Sequence, residues 1–149
     1  MIKITLKDGS VKEIENAMSI LDIAKSISEG LARMATAGEV NGEVKDLRYV
    51  VKEDCSLNIL TFESSLEGKK AYWHTTSHIM AQAVKRLFPN VKLAIGPSID
   101  EGFYYDFDTE KTFNDDDKEK IEAEMKKIIK EDLAIERFTL PREEAIKFM

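Results

Sequence analysis

Apolar and polar residues alternate from the start of the chain, with Ile2, Ile4 and Leu6 set against Lys3, Thr5 and Lys7. A period of two puts the apolar set on one face and predicts a half-buried strand. Asp8-Gly9 is a hairpin turn signal, and a second, less regular strand follows over Val11 to Ile14. The period then changes. Ile20, Ile23, Ala24 and Ile27 recur at helical spacing, with Ser19 placed to cap the helix, Asp22 as its capping partner and Gly30 as the stop. Val40-Asn41-Gly42-Glu43-Val44 signals a second hairpin, and Leu57, Ile59 and Thr61 close with another alternating strand. A hairpin, a helix and then further strands is the β-grasp order, a small mixed sheet over one helix, so residues 1–62 read as one α+β domain.

Residues 63–70 are polar and include Ser64, Ser65 and Gly68, which reads as a linker. Helical periodicity returns over Tyr72 to Phe88, with Ile79, Ala83 and Leu87 on one side and Trp73, Met80 and Val84 beside them. Pro89-Asn90 ends that helix, Lys92 to Ile95 reads as a short strand, and Gly96-Pro97 and Asp100-Glu101-Gly102 read as turns. Phe103 to Asp108 is predicted as a strand with Phe103, Tyr105 and Phe107 on one face and Tyr104, Asp106 and Asp108 on the other. Asn114 caps a helix opening on Asp115-Asp116-Asp117, with Ile121, Met125 and Ile128 as its buried stripe and Glu122–Lys126 as a surface pair. Leu133 to Leu140 reads as a strand, and Pro141 opens a last helix in which Ala145, Ile146, Phe148 and Met149 are apolar. That amphipathic stripe has no cap after it, the pattern of a domain of which only part is present. Residues 71–149 thus read as a second, incomplete α+β domain.

The chemistry gathers in the helix at Tyr72 to Phe88. It holds both histidines of the chain, His74 and His78, at a spacing that stacks them on one helical face, with Gln82 and Lys85 extending that face. Two convergent imidazoles can hold a metal, orient a water or exchange protons near neutral pH. The same spacing on an arbitrary helix is often surface decoration. A zinc-protease motif needs Glu directly after the first His, and Thr75 stands there instead. Two ligands alone are too few for a stable tetrahedral zinc site, so no metal is assigned to the pair. The three consecutive aspartates fan around a helix axis and read as a solvated helix start. Tyr105 on the inner face can contact a ribose or a base, whereas Phe103 and Phe107 read as core.

Charge changes the picture locally. The net charge of −6 argues against a general nucleic-acid binder. Between Glu63 and Lys92, however, Lys69, Lys70, Lys85, Arg86 and Lys92 outnumber Glu63 and Glu67 by three, which suits a phosphate-bearing substrate or, equally, a solvated helix face. A single cysteine, Cys55, permits no internal disulfide and fits a reducing, cytoplasmic setting, and no apolar run approaches the roughly 20 residues that cross a bilayer.

The first sixty residues resemble a TGS domain, with Val40-Asn41-Gly42-Glu43 among the matching positions. Residues 71–149 resemble the first part of the editing domain of bacterial-type threonyl-tRNA synthetases, through His74-Thr75-Thr76-Ser77-His78, Ala94-Ile95-Gly96-Pro97 and Gly102-Phe103-Tyr104-Tyr105-Asp106. The succession of all these motifs is far more specific than the TGS domain alone. The resemblance implies a parent that joins threonine to its tRNA with ATP and, because a pocket discriminates weakly against serine, which lacks one methyl, clears misloaded seryl-tRNA at a second site. It implies that His74 and His78 position the hydrolytic water and the terminal ribose and that Tyr105 lines the pocket; Gln82 and Lys85 are expected to contact substrate because they extend the histidine face of the helix. A second motif of such sites, a cysteine and a histidine four apart with a lysine and an aspartate, is not among residues 1–149. The implied contribution is therefore half of an editing site, weak or inactive in isolation. ATP, Mg and zinc belong to the parent's aminoacylation core, and no cofactor is expected in these residues. The implied partners are the acceptor arm and 3′ end of the tRNA for threonine, the rest of the synthetase chain and a second copy of the parent in a homodimer. The alternative is a tRNA-docking or regulatory module without chemistry.

Overall fold

The computed structural model describes residues 1–148. The N-terminal part is built from β1 (Ile2–Leu6), β2 (Val11–Ile14), β3 (Met18–Ser19), α1 (Ile20–Ile27), α2 (Glu29–Met34), β4 (Ala35–Val40), β5 (Glu43–Lys45), β6 (Val50–Val51) and β7 (Cys55–Thr61). Five strands form one mixed sheet in the order β2-β1-β7-β4-β5, in which only the β1–β7 pair is parallel. β3 and β6 form a separate short ladder. This is the expected β-grasp arrangement. The alternation of β1 reaches the core through Ile4, which is fully buried with Ile20, Ile23, Val51 and Leu57. Asn41 and Gly42 both sit at positive φ, 50° and 83°, which the two-residue turn between β4 and β5 requires and which Asn and Gly tolerate.

Two local expectations fail here. Gly30 does not stop α1; it lies inside α2. Ser28, in extended conformation, ends α1 by donating its N–H to the Ala24 carbonyl and starts α2 by accepting from the Leu31 N–H. A serine can cap in both directions, so it replaces the glycine stop. Ile27 is partly exposed rather than part of the buried stripe, because α1 presents only Ile20, Ile23 and Ala24 to the sheet. Ser19 does cap α1, accepting from the Asp22 N–H at 3.1 Å. The first N–H groups of α1 are also satisfied from outside, by the carbonyls of Tyr49 and Leu47.

The second part begins earlier than the linker reading placed it. α3 runs unbroken over Leu66–Leu87, so residues 66–70 are helical, with Ser65 as the cap. It is followed by β8 (Lys92–Leu93), β9 (Ser98–Ile99), β10 (Gly102–Phe103), β11 (Phe107–Asp108), α4 (Asp115–Glu131) and α5 (Arg142–Phe148). β9 and β10 form a hairpin around Asp100-Glu101, and β8 pairs with β11. The strand expected over Phe103 to Asp108 is therefore interrupted, because its two ends pair with different partners. Its alternation survives: Phe103, Tyr105 and Phe107 are half-buried while Tyr104, Asp106 and Asp108 are exposed.

α3 and α4 pack through Ala83, Val84, Ile121 and Ile128, with Val91, Phe88, Phe107 and Phe113 closing the cluster. Asn114 and Asp117 form a reciprocal capping box at the start of α4, which accounts for the aspartate run as a helix start. Residues 133–140 form no strand in the described structure, contrary to expectation. A strand needs a ladder partner, and none is paired with this segment among the described residues. α5 follows Pro141 as expected, with no buried residue among those described. Met149, the last apolar position of its stripe, lies outside the described residues.

Candidate functional site

The histidine helix is anchored at its first turn. The Ser65 hydroxyl accepts the Gly68 N–H at 2.9 Å. Gly68 lies so close to β7 that a Cβ there would sit 2.1 Å from the Thr61 carbonyl oxygen, a separation no real side chain adopts. Thr36, at a bulge in the β4–β7 ladder, donates its hydroxyl to the Gly68 carbonyl at 2.9 Å. Bulges re-aim side chains, and this one points a sheet residue at the helix start. Phe62 adds edge-to-face contacts with Tyr72 and Trp73 at 5.2 and 5.6 Å.

Two turns further on, His74 and His78 meet as the helical spacing predicts. Their Nε2 atoms are 3.1 Å apart and their rings are inclined at 71°. At that distance one Nε2 donates and the other accepts, so the pair is satisfied by one shared proton. Protonating both would set two N–H groups face to face. Burial, and then the charge of His74, hold the His78 imidazole below its ordinary pKa of 6.5. Near neutrality His78 is therefore a neutral ring able to accept a proton, on a helix surface that water reaches.

Between the two histidines in sequence sits Ser77, which is fully buried. Its hydroxyl faces two acceptors, the His74 carbonyl at 2.8 Å and the Gly96 carbonyl at 3.1 Å. Gly96 in turn lies under Tyr105, whose ring would be 2.0 Å from any Cβ at that position. Tyr105 also stacks on Phe107 with centroids 4.9 Å apart and planes inclined at 20°. A chain of contacts thus runs from the backbone of His74 through Ser77 and Gly96 to Tyr105. Reading the sequence for function met Ser77 and Gly96 only as members of the resembling motifs and gave neither a role. The available signal was a small polar residue on the inner side of a helix between Trp73 and Ala81, facing a glycine turn.

The other expected contributors separate. Gln82 is exposed one turn beyond His78. The Lys85 ammonium donates to the Pro89 and Val91 carbonyls at 2.8 and 3.0 Å and so closes the end of α3 rather than facing the imidazoles. The basic stretch is largely paired within the fold. Arg86 makes a two-pronged contact with Glu131, both arms 2.8 Å, and a third with Glu124 at 3.1 Å. Lys70 pairs with Asp100 at 2.9 Å, and Lys69 lies over the Phe62 ring. The excess positive charge read from sequence is thus offset by carboxylates brought in from α4 and the β9–β10 turn.

No group of three or more His, Cys, Asp or Glu side chains is arranged to hold a metal among the described residues. Two imidazole nitrogens supply only half of a tetrahedral ligand set.

Comparison with known proteins gives the chain its place. Residues 2–61 match the TGS domain family. The whole chain is 69% identical to a threonine–tRNA ligase of Acetivibrio thermocellus, 64% to one of Clostridium perfringens and 61% to one of Clostridioides difficile. Each alignment covers all 149 residues here and 23% of the relative. Over its whole length the chain is therefore similar to a TGS-bearing region of threonine–tRNA ligases, and it spans 23% of the length of these relatives.

Proposed function

We propose that this chain is the part of a threonine–tRNA ligase that supplies acceptor-arm contacts and half of a hydrolytic site for mischarged seryl-tRNA. The whole enzyme would attach threonine to its tRNA with ATP in the cytoplasm, as a homodimer, with ATP, Mg and zinc held by the rest of the chain. The observation that carries the reading is the His74–His78 pair, Nε2 to Nε2 at 3.1 Å, on a helix anchored to the TGS sheet.

An aminoacyl ester is already activated, so orienting water is the main task. Water's oxygen attacks the seryl carbonyl carbon while a neutral imidazole Nε2 takes its proton. The ester C–O bond then breaks and the terminal ribose oxygen leaves, protonated in turn. The lowered pKa of His78 supports its role as acceptor at neutral pH. The second imidazole orients the first and reaches the ribose, and Tyr105 lines the pocket, with Gln82 at its edge.

The test is deacylation of seryl-tRNA for threonine by this chain and by the chain extended to the length of its relatives, with threonyl-tRNA as control. Selective hydrolysis by the extended chain, lost in the His74→Ala, His78→Ala double variant, is the expected result. Hydrolysis unchanged in that variant would sink the proposal. No hydrolysis by either chain, with tRNA binding retained, would leave a docking module.

A further inference from the structure

We propose that Ser77 is a positioning residue for the site, acting with Gly96 to hold the Tyr105 ring in register with the histidine pair. The inference rests on the editing reading for its catalytic consequence, but its geometric content stands by itself.

Ser77 is an unusual occupant of its position. The inner side of α3 near it carries Ala81, Ala83 and Val84, all buried, and a hydroxyl there is tolerated only if it is bonded. A serine inside a helix can satisfy itself on the carbonyl of the preceding turn, and Ser77 does so on His74. That bond alone needs no partner outside the helix. The second acceptor, the Gly96 carbonyl, comes from the loop between β8 and β9, nineteen residues away in sequence. One proton shared between these two carbonyls ties the loop to the backbone of the first histidine.

The loop is also where Tyr105 rests. A Cβ at Gly96 would meet Tyr105 Cδ2 at 2.0 Å, Cε2 at 2.4 Å and Cγ at 2.7 Å, so the ring lies flat on the bare backbone. The backbone of the neighbouring residues secures the same contact, with Ala94 donating to the Asp106 carbonyl and Asp106 to the Ile95 carbonyl at 3.0 and 2.7 Å. Phe107 stacks on the same ring. Ser77 sets where Gly96 lies, Gly96 sets where Tyr105 lies, and neither touches the reacting ester itself.

Three variants test this: Ser77→Ala, which removes the tie; Gly96→Ala, which keeps the tie and displaces the ring; and Tyr105→Ala, which removes the ring. In the 149-residue chain, nuclear magnetic resonance of the Tyr105 ring protons reads the geometry directly. Ser77→Ala and Gly96→Ala should both shift those resonances away from the positions set by stacking on Phe107, with the dispersed amide spectrum retained. Unshifted Tyr105 resonances in a folded Ser77→Ala chain would overturn the proposal. In the extended chain, seryl-tRNA deacylation should fall roughly 10–100-fold in Ser77→Ala and in Gly96→Ala, the scale of a misplaced but present group. The Ser77→Ala, Tyr105→Ala double variant should be no slower than Tyr105→Ala alone, because both changes remove the same placement. Multiplying losses would overturn the proposal and leave Ser77 a packing residue. Failure of the editing reading is separate: there the histidine double variant leaves deacylation unchanged while the Tyr105 resonances still respond to Ser77.

Discussion

The two parts of this molecule treat their apolar residues differently. In the TGS domain, strands from both ends of the segment and one helix enclose Ile4, Ile20, Ile23, Val51 and Leu57 almost completely. In the second part, α3 and α4 share a smaller cluster, and large apolar side chains stay on the surface: Ile129, Leu133, Ile135, Phe138, Ile146 and Phe148 are all more than half exposed, Phe148 at 72%. Phe138 and Phe148 touch edge to face, but nothing among the described residues buries them. A β-grasp closes its core within about sixty residues. Among the described residues, the second part buries its apolar side chains mainly along the seam between α3 and α4. The histidine pair stands in the second part, on a helix whose start is held by the closed domain and whose middle carries the site.

The sharpest way to break this comparison is a core truncation in each part. Ile23→Ala should destabilise by about 2–5 kcal/mol, the range for a fully buried aliphatic residue, whereas Phe138→Ala should change stability by less than about 0.5 kcal/mol. Urea unfolding followed by circular dichroism measures both. Equal losses would mean that residues 133–148 are packed as tightly as the β-grasp core.

The junction comes next. Gly68→Ala places a methyl against the Thr61 carbonyl and should destabilise by about 1–3 kcal/mol, as overpacking does, with amide shifts spreading from residues 61–72 toward His74. Changes confined to Gly68 and its neighbours would show that α3 is not held by the sheet. At α4, Asn114→Ala removes a capping box and should destabilise by about 1 kcal/mol, without affecting deacylation by the extended chain.

The smallest effects concern pH. Hydrogen bonds from Arg86 hold the Glu131 carboxyl below its ordinary range, so the unfolded chain binds the proton first as pH falls. The contribution is present above the ordinary carboxylate pKa and is lost as pH drops through the folded value. Melting temperature should therefore decline less steeply on acidification in Glu131→Gln than in the parent chain. His78 follows the same sign, since its folded pKa is also lowered: its contribution is present above 6.5 and disappears as pH falls through the folded value. A ring titration of His78 at or above 6.5 would contradict the shared-proton pair.

Much of this was legible in the sequence because it depends on local periods. Alternation located β1, the Asp8-Gly9 turn placed β2 after it, helical spacing brought His74 and His78 onto one face, and Asn114 with its aspartates located the start of α4. Turn chemistry at Asn41-Gly42 identified the second hairpin for the same reason: the backbone there needs positive φ, and few residues accept it. What the chain could not declare locally was what each element would lie against. Leu133 to Leu140 has the composition of a strand yet forms none in the described structure, since a strand exists only beside a partner. Lys85 and Arg86 read as cations for a substrate until the fold brings carbonyls and carboxylates to them. The union of Ser77 with Gly96 and of Gly96 with Tyr105 joins residues far apart in the chain, and no period announces such a contact. The tertiary structure alone decided it, because a buried hydroxyl must find an acceptor wherever the packing provides one.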